Sequence, residues 1–251
     1  MSELFNLTGK TAFITGTSSG LGEQLARCLS AAGARVILAA RRIDRLEALA
    51  LELGNSLVCE LDVRDQSAVE QVFNRLNSSG EKIDICINNA GIADITPIFE
   101  NDDQYIFERI MQTNLIGVWY VTKQTASHMR KNGICGSIIN IGSINGNAIP
   151  AREASAYCIS KAAVIHLTKT LVGELSPHKI RINCISPGWF KTPMNGPDLS
   201  HIITDIPLGI IAKPTHMDGL ILYLASNKAS QYVTGSCITV DGGMSWGGKA
   251  W

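Results

Sequence analysis

A tyrosine and a lysine four residues apart form the pair in this sequence with the most specific chemistry. They are Tyr157 and Lys161, in the stretch 155–161. On a helix, both side chains project from one face, one turn from each other. An unperturbed phenol has a pKa of about 10, and a nearby ammonium lowers that pKa because it favours the phenolate. The spacing therefore predicts a proton donor or acceptor for an alcohol or a ketone.

The pair alone also fits a core tyrosine beside a surface lysine, so the elements that position it carry the argument. Residues 10–16 predict a short buried strand, glycines follow with the spacing G-x-x-x-G-x-G, and apolar residues then recur at helical spacing. A strand, a glycine turn and a helix in this order can hold a phosphate against the helix N-terminus. The predicted cofactor contacts of this turn are Gly16, Ser18, Ser19, Gly20, Leu21 and Gly22.

The same turn has a second interpretation. Gly16-Thr17-Ser18-Ser19-Gly20 also fits G-x-S-x-G, the nucleophile elbow of α/β-hydrolases. An elbow of that kind follows several strands, whereas only one strand is predicted before this turn. A serine hydrolase therefore stays as the weaker alternative.

The second predicted strand, residues 35–40, bears on the choice of cofactor. Folds that prefer NAD carry an acid near the end of this strand for the ribose 2′-hydroxyl. This chain has Ala40 followed by Arg41 and Arg42, and an arginine can hold a 2′-phosphate instead. We therefore predict that NADP(H) is favoured over NAD(H), with Arg41 as the contact. The third strand ends in Asp62 and Val63, which could meet an adenine ring.

The later segments continue the alternation of strands and helices. Strands are predicted at 83–88, 136–141, 181–185 and 236–240, and helices at 68–76, from about Asp103 to 130, from 155 to about 175, and at 215–225. This pattern predicts an α/β fold with a single-domain, Rossmann-type doubly wound parallel sheet of about seven strands, with helices on both faces. One domain should span residues 1–251. A long irregular segment around 190–213 is typical of a binding loop.

Composition excludes several other classes of function. Of 251 residues, 45% are hydrophobic, and 22 basic residues balance 22 acidic ones. This zero net charge argues against nucleic-acid or membrane partners. The sequence has no long apolar run and does not start with basic residues followed by apolar ones. It therefore predicts neither a membrane span nor a signal peptide. Seven scattered cysteines without Cys-x-x-Cys, and histidines without His-Glu-x-x-His, predict reduced thiols in the cytoplasm and no metal site.

Taken in order, these motifs resemble the short-chain dehydrogenase/reductase family, and the resemblance runs nearly end to end. The matching elements are Thr15-Gly16-x-x-x-Gly20-x-Gly22, Asp62, Asn88-Asn89-Ala90-Gly91, Asn114, Ser143, Tyr157-x-x-x-Lys161 and Pro187-Gly188. The chain is similar to the 3-oxoacyl reductase-like and the sugar or alcohol dehydrogenase-like members. The resemblance implies a nicotinamide cofactor, oxidation of an alcohol or reduction of a ketone, and a homotetramer or homodimer. Ser19 departs from the pattern, because many NADP-preferring relatives carry a basic residue there.

The resemblance also implies roles for individual residues. Tyr157 would give a proton to the substrate oxygen, Ser143 would hydrogen-bond that oxygen, and Lys161 would lower the tyrosine pKa and hold the nicotinamide ribose. Asn114 would position a water next to Lys161. Further cofactor contacts are expected at Asn89, Ala90, Gly91, Pro187, Gly188, Phe190 and Thr192. Candidate substrate contacts are Ser143, Asn145, Ile149, Tyr157, Trp189 and Met194.

The substrate itself stays open at this level. A small ketone, a sugar-like polyol and a 3-oxoacyl thioester all fit the mostly apolar candidate pocket. A regulatory protein that binds a dinucleotide without catalysis is a further alternative. Relatives of that kind usually lack the tyrosine or the lysine, and this chain has both.

Overall fold

Seven parallel strands form one sheet at the centre of the molecule. The computed structural model describes residues 3–94, 97–99 and 104–247. The strands are β1 (Thr11–Thr15), β2 (Arg35–Ala40), β3 (Ser56–Glu60), β4 (Ile85–Asn88), β5 (Ser137–Ile141), β6 (Arg181–Pro187) and β7 (Cys237–Val240). Their order across the sheet is β3-β2-β1-β4-β5-β6-β7. The order reverses between β1 and β4, and ligands bind beyond the carboxyl ends of the strands at such a switch point.

Helices cover both faces of this sheet. They are α1 (Gly20–Ala31), α2 (Ile43–Leu53), α3 (Gln66–Ser78), α4 (Gln104–Met111), α5 (Gly117–Lys131), α6 (Ser155–Thr170), α7 (Val172–Leu175), α8 (Asp218–Ala225), α9 (Asn227–Ser230) and α10 (Met244–Gly247). The predicted doubly wound α/β fold is thus confirmed. Among the described residues, no helix is both long and apolar enough to cross a bilayer, and no His, Cys, Asp or Glu cluster could hold a metal ion.

The two faces have separate apolar cores because side chains alternate along each strand. Phe13 packs with Phe73 of α3 and Val121 of α5 on one face, while the next residue, Ile14, packs with Leu25 of α1 on the other. Every residue of β1, β4, β5 and β6 is buried. A strand covered on both faces carries apolar residues on both sides, which explains why apolar residues such as Phe13 and Ile14 follow one another instead of alternating with polar ones.

The long helix that the sequence predicts from about Asp103 is divided in the structure. Asp103 itself lies outside the described residues. Between α4 and α5 the backbone forms a π-helical turn, Gln112–Ile116, in which the Gly117 amide donates to the Gln112 carbonyl. Asn114 lies in this turn and is fully buried rather than facing water. π-helical turns are frequent at functional sites, because they redirect side chains within a helix.

The segment around 190–213 has more structure than its irregular sequence predicts. It contains two short 3₁₀ helices, Pro193–Asn195 and Ser200–Asp205. Leu199, Ile202 and Ile206 form a small apolar cluster of their own, against which Trp189 packs. The two ends of the segment meet, because the Lys191 amide donates to the Ala212 carbonyl at 2.8 Å and the Ala212 amide to the Trp189 carbonyl at 3.2 Å.

Candidate active site

A cleft of about 570 Å³ opens beyond the carboxyl ends of the strands and extends from the glycine turn to the start of α6. Most of the predicted site residues line it. They are Gly16, Ser18, Ser19, Gly20, Leu21, Arg41, Asp62, Val63, Asn89, Ala90, Gly91, Ser143, Asn145, Tyr157, Lys161, Pro187, Gly188, Trp189, Phe190, Thr192 and Met194. The fold therefore brings together side chains and backbone from segments between residues 16 and 195.

Three predicted site residues do not line this cleft. A Cβ atom at Gly22 would lie 2.3 Å from the Gly16 carbonyl oxygen, so this glycine is needed for close packing of α1 against the turn. Asn114 lies behind the cleft wall. Ile149 ends the turn that follows Ser143, and its amide donates to the Ile144 carbonyl at 3.0 Å.

The glycine turn leaves the N-terminus of α1 open. Gly16 and Gly20 have positive φ angles of 73° and 64°, which side chains disfavour. Ser19 is the N-cap of α1 in an extended conformation, but its side chain makes no capping hydrogen bond. The amides of the first helical turn therefore keep their capacity to bind an anion. Asn89 stabilises the turn, because its Nδ2 atom donates to the carbonyls of Thr15 and Gly16 at 3.0 and 3.1 Å.

Arg42 supplies a positive charge beside this turn. Its Nε and Nη2 atoms donate to Ser18 Oγ at 3.1 and 2.8 Å, and Nη2 also donates to Ser19 Oγ at 2.9 Å. The sequence alone assigned the 2′-phosphate contact to Arg41, with Ser19 itself supplying no second cation. The structure adds Arg42, the residue after Arg41, whose guanidinium is held against Ser19.

Asp62 is paired within the cleft wall. Its carboxylate accepts from the Arg64 backbone amide and from the Arg64 guanidinium, the shortest distance being 2.6 Å between Oδ2 and Nη2. These hydrogen bonds lower the pKa of Asp62, and the charge of Arg41 adds a smaller lowering. Arg41 and Arg42 thus flank the end of β2, one nearer to Asp62 and the other bonded to the glycine turn.

Lys161 is buried beneath the cleft and is only 5% exposed. Its Nζ atom donates to the Ile141 carbonyl at 2.9 Å and lies 5.7 Å from the centroid of the Tyr157 ring. Burial lowers the pKa of Lys161 to about 8. An ammonium has three donors, so two remain for a ligand in the cleft.

The expected lowering of the Tyr157 pKa is not the net effect in this structure. Burial raises the pKa of Tyr157, and the hydrogen bond with Ser143 offsets only part of that rise. The free-energy cost of removing a phenolate from water is larger here than the stabilisation of that phenolate by the hydrogen bond with Ser143. Tyr157 is therefore held in its protonated form at neutral pH.

Asn114 connects two segments behind Tyr157 and Lys161. Its Oδ1 atom accepts from the Ile92 amide at 2.8 Å, and its Nδ2 atom donates to the Ile92 carbonyl at 2.8 Å and to Ser160 Oγ at 3.1 Å. A Cβ atom at Gly91 would lie 3.3 Å from Asn114 Oδ1 and 3.4 Å from Lys161 Nζ. Asn114 Oδ1 and Lys161 Nζ thus border one small space, which a side chain at position 91 would fill.

The cleft also includes polar residues that sequence reasoning missed. Arg152, Asp94 and Asn195 line it. The Arg152 side chain is 93% exposed and makes one long contact, 3.8 Å, with Glu153, whereas Asp94 pairs with Arg109. Arg152 could have been found, because a segment between Ser143 and Tyr157 must pass the site that both residues form.

The chemistry of the cleft does not fit a serine hydrolase. Ser18 Oγ accepts hydrogen bonds from Arg42, which cannot take up its proton. Among the described residues that line the cleft, no histidine is present to act as a general base.

Comparisons with known proteins identify the family. Residues 16–245 match the family model described as Enoyl-(Acyl carrier protein) reductase. The crystal structure of a short-chain type dehydrogenase/reductase from Mycobacterium marinum is 38% identical in sequence and superposes with a TM-score of 0.92, covering 97% of this chain and 98% of that chain. The chain belongs to the short-chain dehydrogenase/reductase family.

Two other members indicate the range of related activities. A D-arabinitol 2-dehydrogenase [ribulose-forming] of Scheffersomyces stipitis is 34% identical, over 95% of both chains. A gluconate 5-dehydrogenase from Burkholderia cenocepacia, solved in complex with NADP and tartrate, is 31% identical with a TM-score of 0.90, over 96% of this chain and 97% of that one. This family member is accordingly an NAD(P)-dependent oxidoreductase that acts on CH–OH groups, and the alternatives of a hydrolase and of a non-catalytic regulator are wrong.

Proposed function

We propose that this enzyme interconverts a small, hydroxylated ketone and the corresponding secondary alcohol, with NADP(H) as the favoured cofactor. The observation that carries the proposal is the meeting of Ser143, Tyr157 and Lys161 at one end of a cleft whose other end is an uncapped helix N-terminus. A proton donor and an anion site in one cleft fit a dinucleotide and a carbonyl side by side.

The residues of the cleft fit a nicotinamide dinucleotide. Gly16, Ser18, Ser19, Gly20 and Leu21 would hold the pyrophosphate through their backbone amides. Asp62 and Val63 would meet the adenine, and the free donors of Lys161 would bind the nicotinamide ribose. Asn89, Ala90, Gly91, Pro187, Gly188, Phe190 and Thr192 would border the nicotinamide half. When bound, the cofactor supplies or accepts the hydride.

Proton transfer would be the task of Tyr157. During reduction of a ketone, its hydroxyl donates a proton to the carbonyl oxygen, and Ser143 donates a hydrogen bond to the same oxygen. The raised pKa keeps Tyr157 protonated before the proton is transferred to the carbonyl oxygen. Lys161 stabilises the phenolate that forms, and a water between Lys161 Nζ and Asn114 Oδ1 would return the proton.

The preference for NADPH is supported by two guanidinium groups at the end of β2. Arg42 is already oriented by Ser18 and Ser19, so little side-chain freedom would be lost on binding a phosphate. Hydrogen bonds to charged groups contribute about 1.5–3 kcal/mol, so we expect NADPH to be preferred by about ten- to a hundredfold in kcat/KM.

Two variants and a matched control test this preference. Arg42→Ala should lower kcat/KM with NADPH about tenfold or more and leave the value with NADH nearly unchanged. Arg45→Ala removes an exposed arginine of α2, the helix that begins directly after Arg42; Arg45 does not line the cleft, and its loss should change neither value. Ala40→Asp with Arg41→Ile should reverse the preference, because the carboxylate accepts from a ribose hydroxyl and repels a phosphate. A parent enzyme that favours NADH would contradict the proposal.

The substrate class is inferred from the polar part of the cleft wall. Asp94, Asn145, Arg152 and Asn195 offer donors and acceptors for hydroxyl groups, and Trp189 and Met194 also line the cleft. Two relatives are named for substrates of this kind, a polyol and a sugar acid. We therefore favour a sugar-like ketone over an acyl thioester.

A panel of substrates tests both the reaction and its class. D-ribulose, 5-keto-D-gluconate, diacetyl and a 3-oxoacyl thioester would be incubated with NADPH, and D-arabinitol and gluconate with NADP⁺. We expect the highest kcat/KM within the sugar-like compounds. The highest value with the thioester would refute the substrate class, and no absorbance change at 340 nm with any compound would count against the ketone reaction.

Four further expectations complete the proposal. The segment around 190–213 contributes Phe190, Thr192, Met194 and Asn195 to the cleft, so we propose that it closes over the substrate. Homo-oligomerisation is expected from the family resemblance and can be measured by light scattering after gel filtration. A cytoplasmic location and one domain over residues 1–251 also stay predictions, which cell fractionation and limited proteolysis can check.

A further inference from the structure

The segment 150–154 joins the turn after Ser143 to helix α6 and forms one wall of the cleft. Ala151, Arg152 and Ala154 all line that wall. We propose that Cys158, one residue beyond Tyr157, is a positioning residue whose thiol holds this segment in place and so shapes the substrate side of the site. The catalytic consequence rests on the proposed function, whereas the structural part does not.

The thiol bonds to both polar atoms of one peptide residue. Cys158 Sγ accepts from the Ala151 amide at 3.3 Å and donates to the Ala151 carbonyl at 3.8 Å. Within the described part of the chain, the hydrogen bonds that connect residues 150–153 to another segment both end on this sulfur. The preceding turn ends with the amide of Ile149, and α6 begins at Ser155.

The backbone of this segment adopts a conformation that its residue types disfavour. Pro150 has no amide hydrogen to donate, and Glu153 has a φ of 55°, a left-handed conformation that non-glycine residues seldom adopt. Such a conformation persists only where surrounding contacts impose it. The bonds from Ala151 to Cys158 lie two residues before Glu153, and they connect the wall to the same helix that carries Tyr157 and Lys161.

The hydrogen bonds between Cys158 and Ala151 are weak because a thiol makes them. A thiol is a weak donor and a weak acceptor, so the segment is held less firmly than by a hydroxyl. Loss of the contact would free Ala151 and Arg152 without disturbing the glycine turn or Lys161. The expected effect is therefore on substrate recognition and not on cofactor binding.

Hydrogen exchange separates the hydrogen-bonding role of Cys158 from its packing role. Cys158→Ser keeps a donor and an acceptor, whereas Cys158→Val keeps the volume and loses both. In the cofactor-free protein, the Ala151 amide should exchange at least several-fold faster in Cys158→Val than in the parent, and at the parent rate or more slowly in Cys158→Ser. Exchange in α3 and the affinity for NADPH, measured by nicotinamide fluorescence, serve as controls for intact folding.

Steady-state kinetics test the consequence, and 5-keto-D-gluconate and diacetyl are the probes. With the keto acid, Cys158→Val should raise KM about three- to tenfold and change kcat much less, corresponding to about 1 kcal/mol. Cys158→Ser should restore the parent value.

Two results would overturn the positioning role. One is parent-like exchange at Ala151 in Cys158→Val, and the other is equally fast exchange in Cys158→Ser and Cys158→Val. If the parent reduces neither probe while the exchange difference is present, the proposed function is wrong and the positioning role stands.

Discussion

Replacement of Lys161 by methionine should stabilise the cofactor-free protein while it destroys activity. The ammonium of Lys161 is buried with one carbonyl partner, and burial lowers its pKa from 10.5 to about 8. A lowering of this size corresponds to about 3 kcal/mol of destabilisation at neutral pH, since each pKa unit is worth about 1.4 kcal/mol. Methionine has a similar length and no charge to bury.

The sign of the pH dependence follows from proton binding. Between pH 8 and 10.5 the unfolded chain holds more protons at this lysine than the folded chain does, so the free energy of unfolding rises with pH. About 2 of the 3 kcal/mol should be regained by pH 9.5. Loss of the hydrogen bond to Ile141 costs about 1 kcal/mol. Lys161→Met should therefore exceed the parent by about 2 kcal/mol at pH 7 and lose this advantage by pH 9.5.

Urea unfolding of the parent and the variant at pH 7, 8, 9 and 9.5 measures this difference directly. Lys123→Met, which removes an exposed lysine of α5, is the matched control and should show no such trend. The Lys161→Met variant should also bind NADPH more weakly than Tyr157→Phe does, because the ribose contact is lost. A Lys161→Met variant that is less stable than the parent at pH 7, or a stability difference that is constant with pH, would show that burial of the ammonium does not destabilise the parent.

Three other predictions concern the acid, the glycine turn and the thiols. Tyr157→Phe should lower kcat about a hundredfold or more with cofactor affinity nearly unchanged, and near-parent turnover would exclude Tyr157 as the acid. Gly22→Ala should cost about 1–3 kcal/mol in urea unfolding, because its Cβ would lie 2.3 Å from the Gly16 carbonyl oxygen; Gly173→Ala, with nothing within 4 Å, is the control. All seven cysteines are free in the structure, so denatured anaerobic protein should react with seven equivalents of a thiol reagent, whereas five or fewer would indicate a disulfide.

The sequence by itself determined the local features of this protein, namely its turns, its helix faces and its strands. The glycine spacing identifies the turn before α1 because positive φ angles at Gly16 and Gly20 are a property of the backbone at those residues. The four-residue spacing of Tyr157 and Lys161 predicts a shared helix face in any surroundings. Runs of apolar residues predict buried strands, and their alternation with helices predicts a parallel sheet, because few connections are possible between such elements.

Only the tertiary structure decided which distant groups meet and how far each is removed from water. Arg42 rather than Arg41 bonds to Ser18 and Ser19, and the thiol of Cys158 bonds to Ala151, because side-chain directions at the ends of elements depend on packing. The pKa of Tyr157 rises although Lys161 lies one helical turn away. Sequence spacing fixes the separation of two charges along a helix, but the free energy of burying a charge depends on every segment that closes around it.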